Sequence, residues 1–277
     1  GIAVLPAGAT AKADPVDLQP YYSVFERGKT KIPGHDTRWV PQGLAYLPGD
    51  DDLAISYYDG DEQKNSRLAI IDRKSGIKRK IVVLPTKGHV GGLAARGKYL
   101  WVADKGKITR VLLSTIAAHP DISADPKDTP IKSAGSWNAP ASSFMTISGN
   151  RLWVGKYEKD RNKTATTYGF TLSKANVPTA NGATLTTPGQ VQGMAIKGSN
   201  VIWSRSTGRD ERSTIEVRPL SDPAGTGRTI TAPNMSEGLA IGAGRLHVVY
   251  ESGSKEYSDA DYKVRTVQSA PIGRIAP

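Results

Sequence analysis

Cysteine is absent from the 277-residue chain, which excludes disulfides, thiolate nucleophiles and Cys-ligated zinc. Histidine is scarce: His35, His89, His119 and His247 lie far apart and form no His-x-x-x-His pair of the kind that holds zinc on a helix. No stretch approaches the roughly 18 consecutive apolar residues of a membrane-spanning helix. Sustained helical periodicity is missing too, so long amphipathic helices are excluded and short strands become the expectation. Acidic residues are outnumbered: 26 Asp and Glu stand against 37 Lys and Arg, for a formal charge of +11. The two signs are interleaved, and 38% of the chain is hydrophobic, enough for a core and unlike a disordered polyelectrolyte.

What is present is repetition. Five segments read as a small or polar residue, then Gly or a neighbour of similar role, then an apolar pair. They are Gln42-Gly43-Leu44-Ala45, Gly91-Gly92-Leu93-Ala94, Ser143-Phe144-Met145-Thr146, Gln192-Gly193-Met194-Ala195 and Glu237-Gly238-Leu239-Ala240, spaced 49, 52, 49 and 45 residues apart. A second apolar run follows each start after 9 to 11 residues: Leu53–Tyr58, Leu100–Lys105, Leu152–Tyr157, Ile202–Thr207 and Leu246–Glu251. Near-constant offsets across a Gly/Asn/Asp turn fit a hairpin. Third strands are visible at Arg67–Asp72 and Ser213–Arg218, and a fourth at Lys80–Leu84. A period of about 40–50 residues with several short strands is that of a propeller blade.

The expected fold is therefore all-β: a single β-propeller of five blades, each of four antiparallel strands, over residues 14–277. The last repeat supplies three strands, ending with Lys263–Val267, and the N-terminal segment around Tyr21–Phe25 is expected to add the outer strand of that blade and so close the ring. Residues 114–138 read as a Pro/Ala/Ser/Asp-rich loop. Residues 1–13 are small and apolar and end in Ala11-Lys12-Ala13, a small-x-small cleavage pattern; they read as a signal-peptide remnant or a disordered tail. On that basis the protein is expected to be secreted, extracellular or associated with the cell wall, and monomeric.

In a propeller the start of the innermost strand and the end of the second lie at the same face, so those positions from every blade meet around the channel. The first ring is Gln42, Gly91, Ser143, Gln192 and Glu237. The second is drawn from Tyr57/Tyr58, Asp104/Lys105, Lys156/Tyr157, Ser206/Thr207 and Tyr250/Glu251, with Arg209 and Lys255 from the following loops and His89 just ahead of its ring position. Glu237 and Glu251 fall in one repeat at adjacent strand ends. Close carboxylates split their pKa values and serve as acid and base, or take a hard cation. The plainer alternative is structural: Glu237 accepts backbone N–H groups, and Glu251 pairs with Lys156, Arg205 or Lys255.

The Trp column (Trp101, Trp153 and Trp203, with Ala54 and His247 in the equivalent slots) invites a sugar-stacking reading. A residue recurring at one strand position in successive blades more naturally packs between blades. The loop Asp59–Asn65 resembles a calcium loop only superficially, because it lacks the EF-hand spacing and closing Glu. The basic runs Lys74–Lys80 and Lys156–Lys163 lack interleaved aromatics, apart from Tyr157, so no specific nucleic acid is expected. An anionic wall polymer, a glycan or a small polar molecule is the expected partner class.

Two stretches carry a resemblance: Gln192–Ala195 with Ser204–Arg209 and Ser213, and Met235–Ala240 with Tyr250–Gly253 and Lys255–Tyr257. With Leu152–Tyr157 they resemble secreted β-propeller proteins of Gram-positive bacteria that have no assigned activity. Members usually carry an acidic residue where Lys156 stands. The resemblance implies one polar cluster of Gln192, Arg209, Glu237, Glu251 and Tyr257. At the level of fold the chain is also similar to lactonase-type and strictosidine-synthase-like propellers, which implies Ca2+ in the channel. Five-bladed glycosidases are another analogue, with Asp104, Glu237 and Glu251 as their channel acids. The expected function is thus a ligand-binding or interaction protein whose polar pocket draws on Gln42, His89, Ser143, Lys156, Gln192, Arg205, Arg209, Glu237, Glu251 and Tyr257. The alternative is a hydrolase or lyase acting on a carbohydrate or lactone.

Overall fold

The computed structural model describes residues 13–125 and 127–277. All but Ala13 of the expected signal segment lies outside them. Five antiparallel sheets follow one another along the chain. Blade 1 holds β1 (Trp39–Leu47), β2 (Asp52–Asp59), β3 (Arg67–Asp72) and β4 (Lys78–Val83). Blade 2 holds β5 (Gly92–Arg96), β6 (Tyr99–Asp104), β7 (Lys107–Leu112) and β8 (Ser136–Asn138). Blade 3 holds β9 (Phe144–Ser148), β10 (Arg151–Gly155), β11 (Thr164–Leu172) and β12 (Pro178–Pro188). Blade 4 holds β13 (Val191–Lys197), β14 (Asn200–Arg205), β15 (Ser213–Pro219) and β16 (Arg228–Ala232). Blade 5 holds β17 (Ser236–Gly242), β18 (Arg245–Tyr250) and β19 (Gln268–Pro271). Strands pair in chain order within each blade. The innermost strands β1, β5, β9, β13 and β17 touch in succession, and β17 returns to β1, which closes the ring.

Close approach around the axis dictates glycine at the repeat starts. A Cβ on Gly193 would sit 2.4 Å from the Glu237 carbonyl, and one on Gly238 would sit 2.5 Å from the Leu44 nitrogen. Both are backbone contacts that cannot yield. The Trp column packs between blades, as its recurrence implied. Trp101 and Trp203 are fully buried and Trp153 nearly so. Trp101 joins Met145, Leu152 and Phe170 of the next blade, and Trp153 and Trp203 share a cluster with Phe144 and Met194. His247, in the equivalent slot of blade 5, is buried and shares its Nδ1 proton with the Ala240 carbonyl at 3.2 Å. Burial pushes its pKa down to about 4, so it stays neutral.

Closure is made where expected, with different local structure. The outer position of blade 5 is filled by Glu26, whose N–H donates to the Ser269 carbonyl at 2.7 Å and whose carbonyl accepts from the Ser269 N–H at 3.1 Å. The residues before it are helical, not extended: a 3-10 turn at Val16–Leu18 runs into α1 (Gln19–Tyr22). Tyr21, Val24 and Phe25 are buried at a spacing of three and four residues, the helical period, and Pro20 in the first turn favours that start. Tyr21 stacks on Phe25 with ring centres 4.2 Å apart, and its hydroxyl meets both Tyr250 and Gln268 at 2.7 Å.

The third strand of blade 5 is β19 and not the expected Lys263–Val267, because Gln268 and Ala270 supply the buried alternation opposite Val248 and Leu246. The stretch 114–138 is not an open loop. It carries the end of α2 (Leu113–Ala118), buries Ile116 and Ile131, makes a parallel bridge from Pro130 to Val83, and ends in β8. Among the described residues no helix is long and apolar enough to cross a membrane.

Candidate functional site

Three of the five inner strands enter the channel through a register break. The pairing shifts between Pro41 and Leu44 in β1, between Val191 and Gly193 in β13, and between Ser236 and Leu239 in β17. Each break falls on the ring residue: Gln42, Gln192 or Glu237. A bulge adds a residue to one strand and re-aims its side chain, which here places three polar groups at a common mouth. Left-handed backbone precedes the ring in three blades, at Val90 (φ 49°), Gln190 (φ 65°) and Met235 (φ 64°). For β-branched Val90 this is a strained conformation. It is held by the Asp104 carboxylate, which accepts from the Val90 N–H at 3.2 Å, and by the Ser56 hydroxyl, which donates to the Val90 carbonyl at 2.7 Å.

The mouth encloses a cavity of about 510 Å3. Glu237 and Glu251 form its charged wall. Glu237 is 2% exposed, and its carboxyl lies near enough to that of Glu251 for each to influence the other's ionisation. The Gln42 Nε2 donates to Glu251 Oε2 at 2.7 Å and to its own neighbour, the Pro41 carbonyl, at 2.8 Å, which fixes its orientation. Burial, followed by the Glu251 charge, raises the Glu237 pKa well above the ordinary carboxyl value. Burial also pushes Glu251 up to about 7, against the opposing hydrogen bonds from Glu237 and Gln42. Near neutrality Glu237 therefore keeps its proton while Glu251 ionises, and the pair carries at most one negative charge.

Tyrosines frame the pair. Tyr58 stacks on His89 with ring centres 4.1 Å apart, and its hydroxyl lies 3.3 Å from that of Tyr257. Tyr157 lines the cavity and donates to the Ser206 carbonyl at 3.3 Å. Burial raises the pKa of all three phenols, Tyr257 to about 12, so they remain protonated donors beside the carboxylate.

Of the residues singled out from the sequence, Gln42, His89, Ser143, Gln192, Glu237, Glu251 and Tyr257 meet at this cavity, with Asp104 on its edge. Asp104 is taken up by the loop it braces: besides Val90, it accepts from the Thr86 hydroxyl at 2.5 Å. Three basic candidates lie elsewhere. Arg205 turns away to the buried Glu216, at 2.9 and 3.1 Å, and to the Gly189 carbonyl at 2.8 Å. Arg209 pairs with Asp259 at 3.0 Å and lies 5.1 Å from the Tyr257 ring centre, outside the mouth. Lys156 is exposed, and its neighbour Tyr157 takes the inward position.

Tyr58 and Tyr157 are the inward residues that the sequence reading left unresolved. A count of four from the Trp-column slot finds Tyr58, Lys105, Tyr157, Thr207 and Glu251. All but Thr207 line the cavity.

A channel calcium does not fit these residues. Ca2+ takes six to eight oxygen ligands, whereas the mouth offers two carboxyls, one of them held by Gln42, and Asp104 is taken up by Thr86 and Val90. Among the described residues no group of three or more His, Asp or Glu side chains is arranged to hold a metal ion. In the loop Asp59–Asn65, the Asp59 carboxylate is filled by Arg38 and by the N–H groups of Asp61, Gln63 and Lys64.

Fold and site together define a five-bladed β-propeller with an acidic, tyrosine-framed channel mouth. No protein-family model matches the chain, and no curated protein does. Among solved structures it is similar to hydrazine synthase of Kuenenia stuttgartiensis, at 12% identity and a TM-score of 0.42, over 81% of this chain and 58% of that one. It is similar to a chain of a nidogen/laminin complex, at 12% identity and a TM-score of 0.44, over 77% of this chain and 73% of that one. A functionally unknown protein from Desulfotomaculum acetoxidans matches at 8% identity and a TM-score of 0.45, over 77% of this chain and 63% of that one.

Proposed function

We propose that the chain is a binding protein whose channel mouth takes a small polar ligand with a cationic, hydrogen-donating group, and that it acts outside the cell, as Ala11-Lys12-Ala13 suggests. The observation that carries this reading is the buried Glu237–Glu251 pair, a local anion in a chain of charge +11. Arg205 and Arg209 are neutralised by Glu216 and Asp259, so among the described residues Lys105 is the one Lys or Arg on the cavity wall, set against the carboxyls of Glu237, Glu251 and Asp104. Tyrosine faces beside a carboxylate suit an ammonium group through cation–π attraction. Because the ligand's charge favours the ionised pair, binding is linked to proton release, and affinity rises by up to about tenfold per pH unit below neutrality.

Calorimetry with a panel of alkylammonium ions and polyamines at pH 6 and pH 8 tests this. Tighter binding at pH 8, lost in Glu237→Gln/Glu251→Gln, is expected; equal binding by parent and double variant refutes the site. A second reading, a hydrolase or lyase, draws on Glu251 titrating near 7, the range of a general acid–base group. Glycoside cleavage and lactone opening are the turnovers to assay for that reading, with loss in Glu251→Gln as its signature.

A further inference from the structure

A cavity of about 810 Å3 lies away from the channel, in the cleft between the rim of blade 1 and the loop that follows β18. One face of blade 1 builds its wall. Tyr57 stands directly opposite Arg67 across β2 and β3 and opposite Pro41 across β1 and β2, so Trp39, two residues before Pro41, shares that face. Ile81, opposite Ala69 on the outer strand, completes it.

Two groups on this wall have binding capacity that the fold does not use. The Tyr57 side chain is buried, with 2% of the residue exposed, and its hydroxyl has no hydrogen-bond partner among the described residues. Such a group is costly to leave unmet. The Arg67 guanidinium lies 3.9 Å from the Trp39 ring centre and makes no hydrogen bond or ion pair among the described residues, although it is half-buried. A guanidinium stacked on an indole is held flat with its N–H edge free, the geometry of bidentate oxyanion recognition. Burial raises the Tyr57 pKa, so its hydroxyl is a permanent donor at that wall.

The charges at the rim set the ligand's charge. Arg38 is matched by Asp59 and Asp61, and Asp36 by Arg265. Lys255 and Glu256 lie side by side on the loop, and with Arg67 counted the cleft holds four cations and four carboxylates. Arg67 makes no carboxylate contact among the described residues, so one carboxylate matches its free edge and a polyanion does not.

We propose that this cleft is a second binding site, for a small monocarboxylate with an apolar body, its carboxylate taken by Arg67 and Tyr57 and its body resting on Ile81 and the Trp39 edge. The site is separate from the channel mouth and stands whether or not the channel reading holds.

Benzoate, benzamide and inorganic phosphate, titrated into the whole protein by calorimetry and by ligand-observed NMR, test it. Benzoate is expected to bind at millimolar concentration or better, and benzamide and phosphate at least about tenfold more weakly. Arg67→Gln is expected to weaken benzoate about tenfold or more, and Arg67→Lys nearly as much, since a lysine lacks the fork. Tyr57→Phe keeps the ring and removes the unmet hydroxyl. It is expected to melt at or above the parent temperature while binding benzoate about threefold or more weakly. Glu237→Gln/Glu251→Gln is expected to leave benzoate binding unchanged. No benzoate binding up to about 10 mM, equal binding of benzamide, or parental affinity in folded Arg67→Gln or Tyr57→Phe overturns the proposal.

Discussion

Replacing both mouth carboxyls, Glu237→Gln/Glu251→Gln, should change how stability depends on pH more than it changes stability at any one pH. Glu251 titrates near 7 in the folded chain, against 4.5 as the ordinary value. A carboxyl whose folded pKa is raised holds its proton more tightly when folded. Its penalty is therefore absent below the unfolded value, grows as pH rises above it, and is complete once pH passes the folded value. A gap of 2.5 pH units corresponds to about 3 kcal/mol in full, of which roughly 2–3 kcal/mol develops between pH 5 and pH 8. Glu237, raised further, adds to this at higher pH. Carboxylates with lowered pKa values, such as Asp51 and Asp72, bend the curve the other way at acid pH but are common to parent and variant, so they cancel in the difference. Urea unfolding at pH 5 and pH 8 measures it. The parent should lose about 2–3 kcal/mol more than the double variant across that interval, roughly 5–10 °C in melting temperature. Glu237→Gln alone should keep most of the loss, because burial, the main cause of the Glu251 shift, is unchanged. Parallel pH curves for parent and double variant would refute the raised pKa values of the pair.

Trp203→Ala should cost about 3–5 kcal/mol in chemical denaturation, since the indole is fully buried between blades and its N–H donates to the Pro223 carbonyl at 2.7 Å; ligand affinity of the folded fraction should not change, and a stable variant that loses binding would place the ring in a site. Glu216→Ala should cost a similar 3–5 kcal/mol, because it strands Arg205 and Arg218, which bond that carboxylate at 2.9 and 2.6 Å with little exposure of their own; an unchanged melting temperature would mean the pair contributes nothing to blade 4.

The blades were legible because their cause is periodic. Five inner strands must approach one axis, so small residues recur at the crossing points, and each inter-blade layer demands a large apolar side chain at the same slot; Trp101, Trp153 and Trp203 announce it. The N-terminal segment follows no repeat, and its composition points to a strand where the fold makes a helix. Tyr21-Tyr22-Ser23-Val24-Phe25 has the composition of a strand, yet its buried residues are spaced for a helix, and the cluster they join from blades 4 and 5 decides the matter. Site residues divided along the same line. Ring positions set by strand ends, such as Gln42, Gln192 and Glu237, follow from the repeat, and all three line the cavity. Adjacency in sequence puts Arg205 and Arg209 beside the ring, but their partners Glu216 and Asp259 lie on other segments, and no local pattern reveals such pairings. Parity would have separated Tyr157 from Lys156, because side chains alternate along a strand and the Trp slot fixes the phase.

The same geometry explains why an acidic pair persists at the mouth of a basic protein. Packing two carboxyls at the closing seam of the ring, beside the β1–β17 contact, works against folding whenever both are ionised. Neutral glutamine at both places would serve the scaffold better, and the chain already uses it at Gln42 and Gln192, the same ring position in two other blades. Glu237 is thus a departure from the scaffold's own solution at a position where burial makes the departure costly. Groups that a fold would be more stable without are where function is sought. The strained Val90 on the opposite lip, braced by Asp104 and Ser56, belongs to the same class. Blade 5 supplies the carboxyls, blade 1 the Gln42 that orients one of them, and blades 1, 3 and 5 the tyrosines, so only the closed ring assembles the pocket. Its formation should therefore report on closure itself: loosening the Glu26–Ser269 bridge by truncation before residue 27 should lower ligand affinity along with stability, and a truncated protein that melts early yet binds with parental affinity would show that the mouth forms without the closed ring.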